Sequence, residues 1–236
     1  MIRQSISIRI YAVLVMIIVL MAVLQSLLPI KINPGQAMSL PMIAVAITLG
    51  AVGMYLAPKC GFADMLDERV PNTQRFGIPF ATGAALGLLI VVLDRVAPMG
   101  ADIQTRFPDS VIVFVQAGLV EEILIHLFLI SLLYWLFSVK LLKRRYPEIV
   151  FWSVSIGAAL AYWLFQMNAV MTYFPQKFSM LFAVQTFVII SVTITLGAYY
   201  FRTYGFLAAV SLRYGFYLVW HILWAGGIGA VRYLST

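Results

Sequence analysis

The sequence predicts an all-α, polytopic membrane protein with about seven transmembrane helices in a helix bundle. Of its 236 residues, 63% are hydrophobic and only 11% are charged, and the mean hydropathy is +0.97. Soluble domains carry roughly a quarter charged residues, so a water-soluble globule is excluded. The apolar residues form long uninterrupted runs, unlike the short alternating segments of a membrane β-barrel. Because a helix satisfies its own backbone hydrogen bonds in hydrocarbon, each run is predicted to be helical.

Seven apolar segments are long enough to cross a bilayer, since one crossing needs roughly 20 apolar residues. The first is interpreted as a retained span, because its apolar stretch is longer than that of a typical signal peptide and no A-x-A cleavage site follows. No repeat or linker divides the chain, so residues 1–236 are interpreted as a single membrane domain. The predicted segments are Ile10–Ile30, Met38–Ala57, Gly77–Ala97, Val111–Val139, Ile149–Met171, Met180–Phe201 and Phe206–Val231.

Glycines at helix-packing spacing occur in the second and third segments. Gly83 and Gly87 form a G-x-x-x-G, and Gly50 and Gly53 lie close together in the sequence. Small residues let helix backbones approach closely where lipid surrounds the helices. These glycines therefore predict close helix packing and carry no indication of activity.

Basic residues are unevenly distributed between the two sets of loops. Ten fall on the side that holds the N-terminus and four on the other side, or five with Arg95 at the end of the third segment. Cytoplasmic loops carry the excess of Lys and Arg, so the N-terminus is expected in the cytoplasm. This bias accounts for the net charge of +7 without a nucleic-acid partner, and the expected partner is the lipid bilayer. The ten are Arg3, Arg9, Lys59, Arg69, Arg75, Lys140, Lys143, Arg144, Arg145 and Arg202, and the four are Lys31, Arg106, Lys177 and Arg232.

Ionisable residues inside the predicted spans mark the candidate functional site, since each costs at least ~2.5 kcal/mol near the bilayer centre. The fourth segment carries Glu121, Glu122 and His126, and the seventh carries Arg213 and His221. Glu122 and His126 are four residues apart and share one helical face. The adjacent glutamates project about 100° apart, so their carboxylates face different neighbours.

Further polar residues extend this set. Arg213, Tyr217 and His221 recur at every fourth residue and form a polar stripe on an otherwise apolar helix. The fifth segment adds Gln166 and Asn168. A glutamate and a histidine four residues apart can both bind zinc, with a second carboxylate as general base. The alternative is that the acids, the arginine and the histidines neutralise one another between helices.

Residues 118–133 resemble the first motif of the CPBP family, intramembrane metalloproteases also called Abi or CAAX-protease-like. The family string is E-E-x-x-x-R followed by an apolar run. Glu121 and Glu122 match the two acids, and His126 occupies the arginine position. Residues 197–209 are similar to the segment that leads into the family's last motif. The resemblance runs from near Phe107 to Trp224, about half of the chain, and implies a CPBP-protease-like core at about residues 107–231.

The resemblance implies roles for several of these residues. In the family a glutamate activates water, and histidines from two later helices complete the polar site, so the adjacent glutamates stand at the positions of the general base and acid. The second motif, F-x-x-x-H, places its histidine at Ala169, with Asn168 beside it. The third motif, H-x-x-x-N or H-x-x-x-D, falls on Arg213 and Tyr217. The acids are present, and the ligand histidines that the family implies are not.

This pattern predicts a degenerate family member, a pseudoprotease. We expect Arg213 to replace the metal as the counter-ion of Glu121 or Glu122, because its guanidinium keeps its proton. Tyr217 and His126 are expected to bind the remaining carboxylate oxygens. No cofactor is then expected, and the protein would act as a scaffold or as an accessory subunit that contacts other membrane proteins. The family implies the inner membrane of a bacterium.

Two alternatives remain open from the sequence. An active glutamate-dependent intramembrane metalloendopeptidase would hold zinc with Glu122, His126 and His221 and would keep Glu121 as general base. A transporter or proton pathway would use the same intramembrane acids and histidines. The spans show no inverted repeat of the kind that such transporters contain.

Overall fold

The structure, a computed structural model, describes residues 2–33, 35–36, 38–97, 100 and 103–228. The described residues form helices and connecting loops and contain no strand. Among them are seven helices long and apolar enough to cross a membrane, so the prediction of an all-α polytopic bundle is confirmed. These helices are α1 (Ile2–Leu27), α2 (Leu40–Cys60), α3 (Thr73–Arg95), α4 (Asp109–Leu141), α5 (Pro147–Tyr173), α6 (Met180–Tyr204) and α7 (Phe206–Gly227).

The predicted segments agree with these helices to within a few residues, except at the start of the first. α1 begins at Ile2 rather than Ile10, because polar residues near a helix end continue the backbone hydrogen bonding beyond the apolar run. α1 ends at Leu27, before Ile30, since the residue that precedes Pro29 disfavours helical backbone. The last three residues of the predicted seventh segment, 229–231, lie outside the described residues.

Local sequence fixes the ends of α2 and α6. Ser39 precedes α2, and its hydroxyl accepts a hydrogen bond from the backbone N–H of Met42 at 3.4 Å. Ser179 caps α6 in the same way through the N–H of Phe182 at 3.1 Å. Gly61 ends α2 in the left-handed backbone conformation, with φ of 80°, that glycine adopts most readily.

α7 is the central helix of the bundle. In its most apolar stretch 61% of the residues are buried inside the protein, compared with 50% in α4 and 17% in α1. Gly83 and Gly87 of α3 face the backbone of α7 at Leu212 and Phe216, with no room for a Cβ at Gly83. The prediction that this G-x-x-x-G serves close packing is therefore confirmed.

Polar contacts within the bundle attach the peripheral helices to the centre. Gln116 of α4 is buried, donates from Nε2 to the carbonyl of Ile18 in α1 at 3.1 Å, and accepts from Gln25 Nε2 at 3.0 Å. Asp94 of α3 is also buried, and its Oδ2 accepts from the indole N–H of Trp224 in α7 at 3.0 Å. In a bilayer the hydrophobic effect does not favour contact with another helix over contact with lipid. Hydrogen bonds between helices therefore contribute to their association.

Candidate functional site

Four ionisable side chains meet where α4 packs against α7. Glu121, Glu122 and His126 come from α4, and Arg213 comes from α7; we name these four residues the charge cluster. Glu122 is 1% exposed, His126 is fully buried and Arg213 is 4% exposed. Glu121 is the most accessible member, with 16% of its side chain exposed. The cluster therefore lies inside the protein and is shielded from lipid.

Glu122 is held from both sides. The Nε of Arg213 donates to Oε1 of Glu122 at 2.7 Å. The Nδ1 of His126 lies 2.6 Å from Oε2, one helical turn further along α4, in agreement with the spacing of the two residues. Both carboxylate oxygens of Glu122 thus face nitrogen-bearing side chains of the protein, and the contact with Arg213 is the one with hydrogen-bond geometry.

Glu121 faces the same arginine from a second direction. The hydroxyl of Tyr217 donates to Oε2 of Glu121. The Nη1 of Arg213 lies 3.4 Å from that oxygen. Because the guanidinium presents several N–H groups in a planar fork, one arginine contacts both carboxylates. Tyr217 and His126 occupy the carboxylate-binding positions that the sequence predicts for them.

The ring of His126 makes a second contact, with the backbone of α6. Its Nε2 lies 3.0 Å from the carbonyl oxygen of Ile194, and a carbonyl only accepts, so this nitrogen carries a hydrogen. Gly197 makes room for the ring, because a Cβ at that position would lie 2.7 Å from Nε2. Gly197 is a positioning residue that the sequence-based interpretation did not identify.

The net charge of the cluster follows from these contacts. With Nε2 of His126 protonated, we assign one more proton to the pair of His126 and Glu122, because Nδ1 and Oε2 lie 2.6 Å apart, too close for two atoms that both carry unshared electron pairs. The pair is neutral in total whichever group holds that proton. The positive charge of Arg213 then balances the negative charge of Glu121. The cluster as a whole is neutral, which removes most of the cost of placing it inside a membrane protein.

Two predicted site residues lie apart from the cluster. His221 stacks on Phe114, with 4.1 Å between the ring centroids, and its Nδ1 donates to Oε1 of Gln104 at 3.0 Å. Asn168 is exposed on α5, because the face of that helix toward α7 follows Tyr162 and Gln166 at a spacing of four residues. The expectation that Asn168 belongs to the pocket is therefore not met.

The ligand set of the alternative zinc site does not come together in this arrangement. Glu122 and His126 are in contact with each other, and His221 is directed at Gln104. In the part of the chain that the structure describes, no group of three or more His, Cys, Asp or Glu side chains is close enough to hold one metal ion. Zinc binding by Glu122, His126 and His221 would require these side chains to leave their present contacts.

A cavity of about 180 Å³ adjoins the charge cluster and is lined by α3, α5, α6, α7 and the adjacent loops. Arg213, Tyr217 and His221 line one wall of it, so three predicted site residues share this space. Tyr162 also lines the cavity. It lies one helical turn before Gln166 in α5, so the helical period predicts that the two residues share a face. Gln104 belongs to a loop and has no sequence signal of its own. The other polar residues that line the cavity are Gln36, Gln166 and Thr186.

The fold and the site together define a polytopic α-helical membrane protein with a neutral, buried charge cluster next to a cavity. Comparison with protein-family models, with curated proteins and with solved structures finds no match to this chain. The resemblance to the CPBP family therefore rests on the sequence motifs of the fourth and seventh spans.

Proposed function

We propose that this chain is a non-catalytic relative of the CPBP intramembrane proteases that acts as a scaffold or accessory subunit in a membrane complex. The observation that carries the proposal is the double engagement of Glu122 by Arg213 and His126. A glutamate that activates water needs a free oxygen within hydrogen-bond reach of that water. Here the two oxygens of Glu122 are directed at protein nitrogens instead.

The second acid is similarly engaged. The general base of the family would stand at Glu121 or Glu122, and Oε2 of Glu121 is bound by Tyr217 and approached by Arg213. The arginine stands where the family motif has a histidine ligand. A permanent positive charge at that position repels a divalent cation and supplies the counter-charge that the metal would otherwise provide.

The apolar outer surface supports a role in contacts with other membrane proteins. α1 is the least buried of the membrane helices, and Met16, Leu20 and Leu27 on it are 61%, 52% and 74% exposed. Lipid covers such a surface, and so does the apolar face of a second helix bundle. We place the protein in a bacterial inner membrane with its N-terminus in the cytoplasm, on the basis of the loop charges and the family resemblance.

Zinc content separates this proposal from an active metalloprotease. The protein is purified in lipid nanodiscs, equilibrated with zinc, passed through a desalting column, and assayed for metal per chain. We expect no stoichiometric zinc in the natural protein. One zinc per chain that is lost in Glu122→Ala or His221→Ala, and retained in the exposed control Asn168→Ala, would establish the protease alternative.

The accessory-subunit role has its own test. Extraction of the protein from its native membrane in polymer-bounded lipid discs keeps neighbouring subunits in place. We expect a second membrane protein in a fixed molar ratio to this chain across independent preparations. Recovery of the chain alone, or with partners in variable amounts, would contradict the role.

A further inference from the structure

Three buried atoms of the charge cluster make no hydrogen bond within the described residues: Nδ1 of His126 and Oε2 of Glu122, which face each other at 2.6 Å, and Nη2 of Arg213. The Nη2 of Arg213 is buried and makes no hydrogen bond within the described part of the chain, although Nε and Nη1 of the same guanidinium face Glu122 and Glu121. A buried N–H without an acceptor has lost its hydrogen bonds to water and has gained none in return. Arg213 is among the residues that line the cavity, so a small rotation of its guanidinium group would bring this N–H to an acceptor there.

The charge count restricts the chemistry of that acceptor. Arg213 is already balanced by the glutamates, and the cluster is neutral in total. An anionic group in the cavity would add an uncompensated charge beside Glu121 and Glu122, in a low-dielectric environment where like charges repel strongly. A neutral acceptor, such as the carbonyl oxygen of an ester, an amide or a quinone, satisfies the N–H without this penalty.

The cavity restricts the rest of the molecule. Its volume of about 180 Å³ is close to that of cavities that hold a benzene ring. Apolar side chains supply much of the wall, including Ile90, Met167, Phe182 and Trp220. Three of the polar groups that line it are already paired, since Gln36 Nε2 donates to Gln104 Oε1 at 2.6 Å and His221 contacts the same oxygen. The wall therefore selects an apolar group of ring size or a chain segment of similar volume.

We infer that the cavity binds a neutral, carbonyl-bearing amphiphile whose carbonyl oxygen accepts from Arg213 and whose apolar part packs against Phe182 and Trp220. Membrane quinones and neutral lipid esters share this chemistry. The inference depends on the cavity and on the neutrality of the cluster. It does not depend on the accessory-subunit role, which can fail without affecting it.

Photolabelling with a matched pair of competitors tests the inference. The probe is a diazirine analogue of methyl decanoate, added to the full chain in lipid nanodiscs, and labelled residues are mapped by mass spectrometry. We expect labelling of the cavity-lining segments of α5 and α7. Unlabelled methyl decanoate and a short-chain benzoquinone should compete at least about tenfold better than decanoate, a difference of ~1.4 kcal/mol.

A cavity-filling variant provides the control. Ala169 lines the cavity on α5, whereas Ala161, two turns earlier on the same helix, is exposed and outside it. Ala169→Phe should reduce labelling of the cavity about tenfold or more, corresponding to ~1.4 kcal/mol, and Ala161→Phe should leave it unchanged. Equal labelling in both variants would overturn the inference. Competition by decanoate as strong as that by its methyl ester would overturn the requirement for neutrality.

The ester and the benzoquinone competitors also distinguish the two ligand classes, lipid esters and quinones. Competition by the ester at lower concentration than by the benzoquinone favours a lipid ester as the ligand class, and the reverse order favours a quinone. Ala169→Phe does not alter any residue of the charge cluster. A failure of the labelling experiment therefore has no bearing on the zinc experiment, which tests the proposed function.

Discussion

The charge cluster and the cavity share Arg213 but differ in how their polar groups are paired. In the cluster, basic and acidic groups lie 2.6–3.4 Å apart and are neutral in total. In the cavity, neutral side chains are paired with one another and one guanidinium nitrogen has no partner within the described residues. The comparison indicates that the cluster serves mainly to hold α4 and α7 together, whereas the cavity retains an unused binding group.

Removal of the shared arginine should have the largest effect. Arg213→Leu leaves Glu121 and Glu122 buried beside a single histidine, and breaking a buried ion pair from one side costs roughly 3–5 kcal/mol. The measurement is the free energy of unfolding in lipid or mild detergent. The matched control is Arg202→Leu, which breaks an exposed pair with Glu148 and should cost less than about 1 kcal/mol. Equal losses in both variants would show that burial of the cluster does not matter.

A methyl group at Gly197 tests the position of the His126 ring. Gly197→Ala places a Cβ 2.7 Å from Nε2 of His126, so the ring must move away from the Ile194 carbonyl or from Glu122. We expect a loss of roughly 1–3 kcal/mol of unfolding free energy, as for other overpacked sites. Gly157→Ala is the control, because a Cβ there meets nothing within 4 Å. A neutral Gly197→Ala would mean that α6 does not confine the ring.

The two histidines should respond differently, with the smallest effect at His221. His221→Phe retains the stacking on Phe114 and loses one hydrogen bond to Gln104, which is worth roughly 0.5–1.5 kcal/mol. His126→Phe removes the partner that faces Oε2 of Glu122 and should cost more than twice as much. A larger loss of unfolding free energy for His221→Phe than for His126→Phe would contradict this order and would favour the zinc alternative, in which His221 is a ligand.

The sequence was sufficient for the membrane helices and for half of the cluster. Long apolar runs determine the helices because hydrocarbon permits no other open structure, and the spacing of four residues places His126 beside Glu122. The distance between Arg213 and Glu122 depends on how α7 crosses α4, which no local pattern encodes. The expected contact between Arg213 and a glutamate rests on the resemblance to the family motif.

Other parts of the site could not be predicted because their contacts are tertiary. Gln104 reaches His221 from a loop, and Gly197 confines His126 from a different helix. Asn168 was expected in the pocket because it lies next to Ala169 in the chain, but neighbouring residues on a helix project about 100° apart and face different surroundings. The cavity itself is formed by four packed helices and the adjacent loops, and it has no counterpart in a linear motif.

A double-mutant cycle between positions 122 and 213 tests the central claim most directly. The unfolding free energies of Arg213→Leu, Glu122→Gln and the double variant give the coupling between the two side chains, free of their separate effects. We predict a coupling of roughly 1–3 kcal/mol, as found for contacting residues, with the double variant more stable than the sum of the single losses implies. The same cycle with Glu121→Gln should give a smaller coupling, because Nη1 of Arg213 lies 3.4 Å from that carboxylate. Additive losses at positions 122 and 213 would contradict the claim that the arginine neutralises this acid.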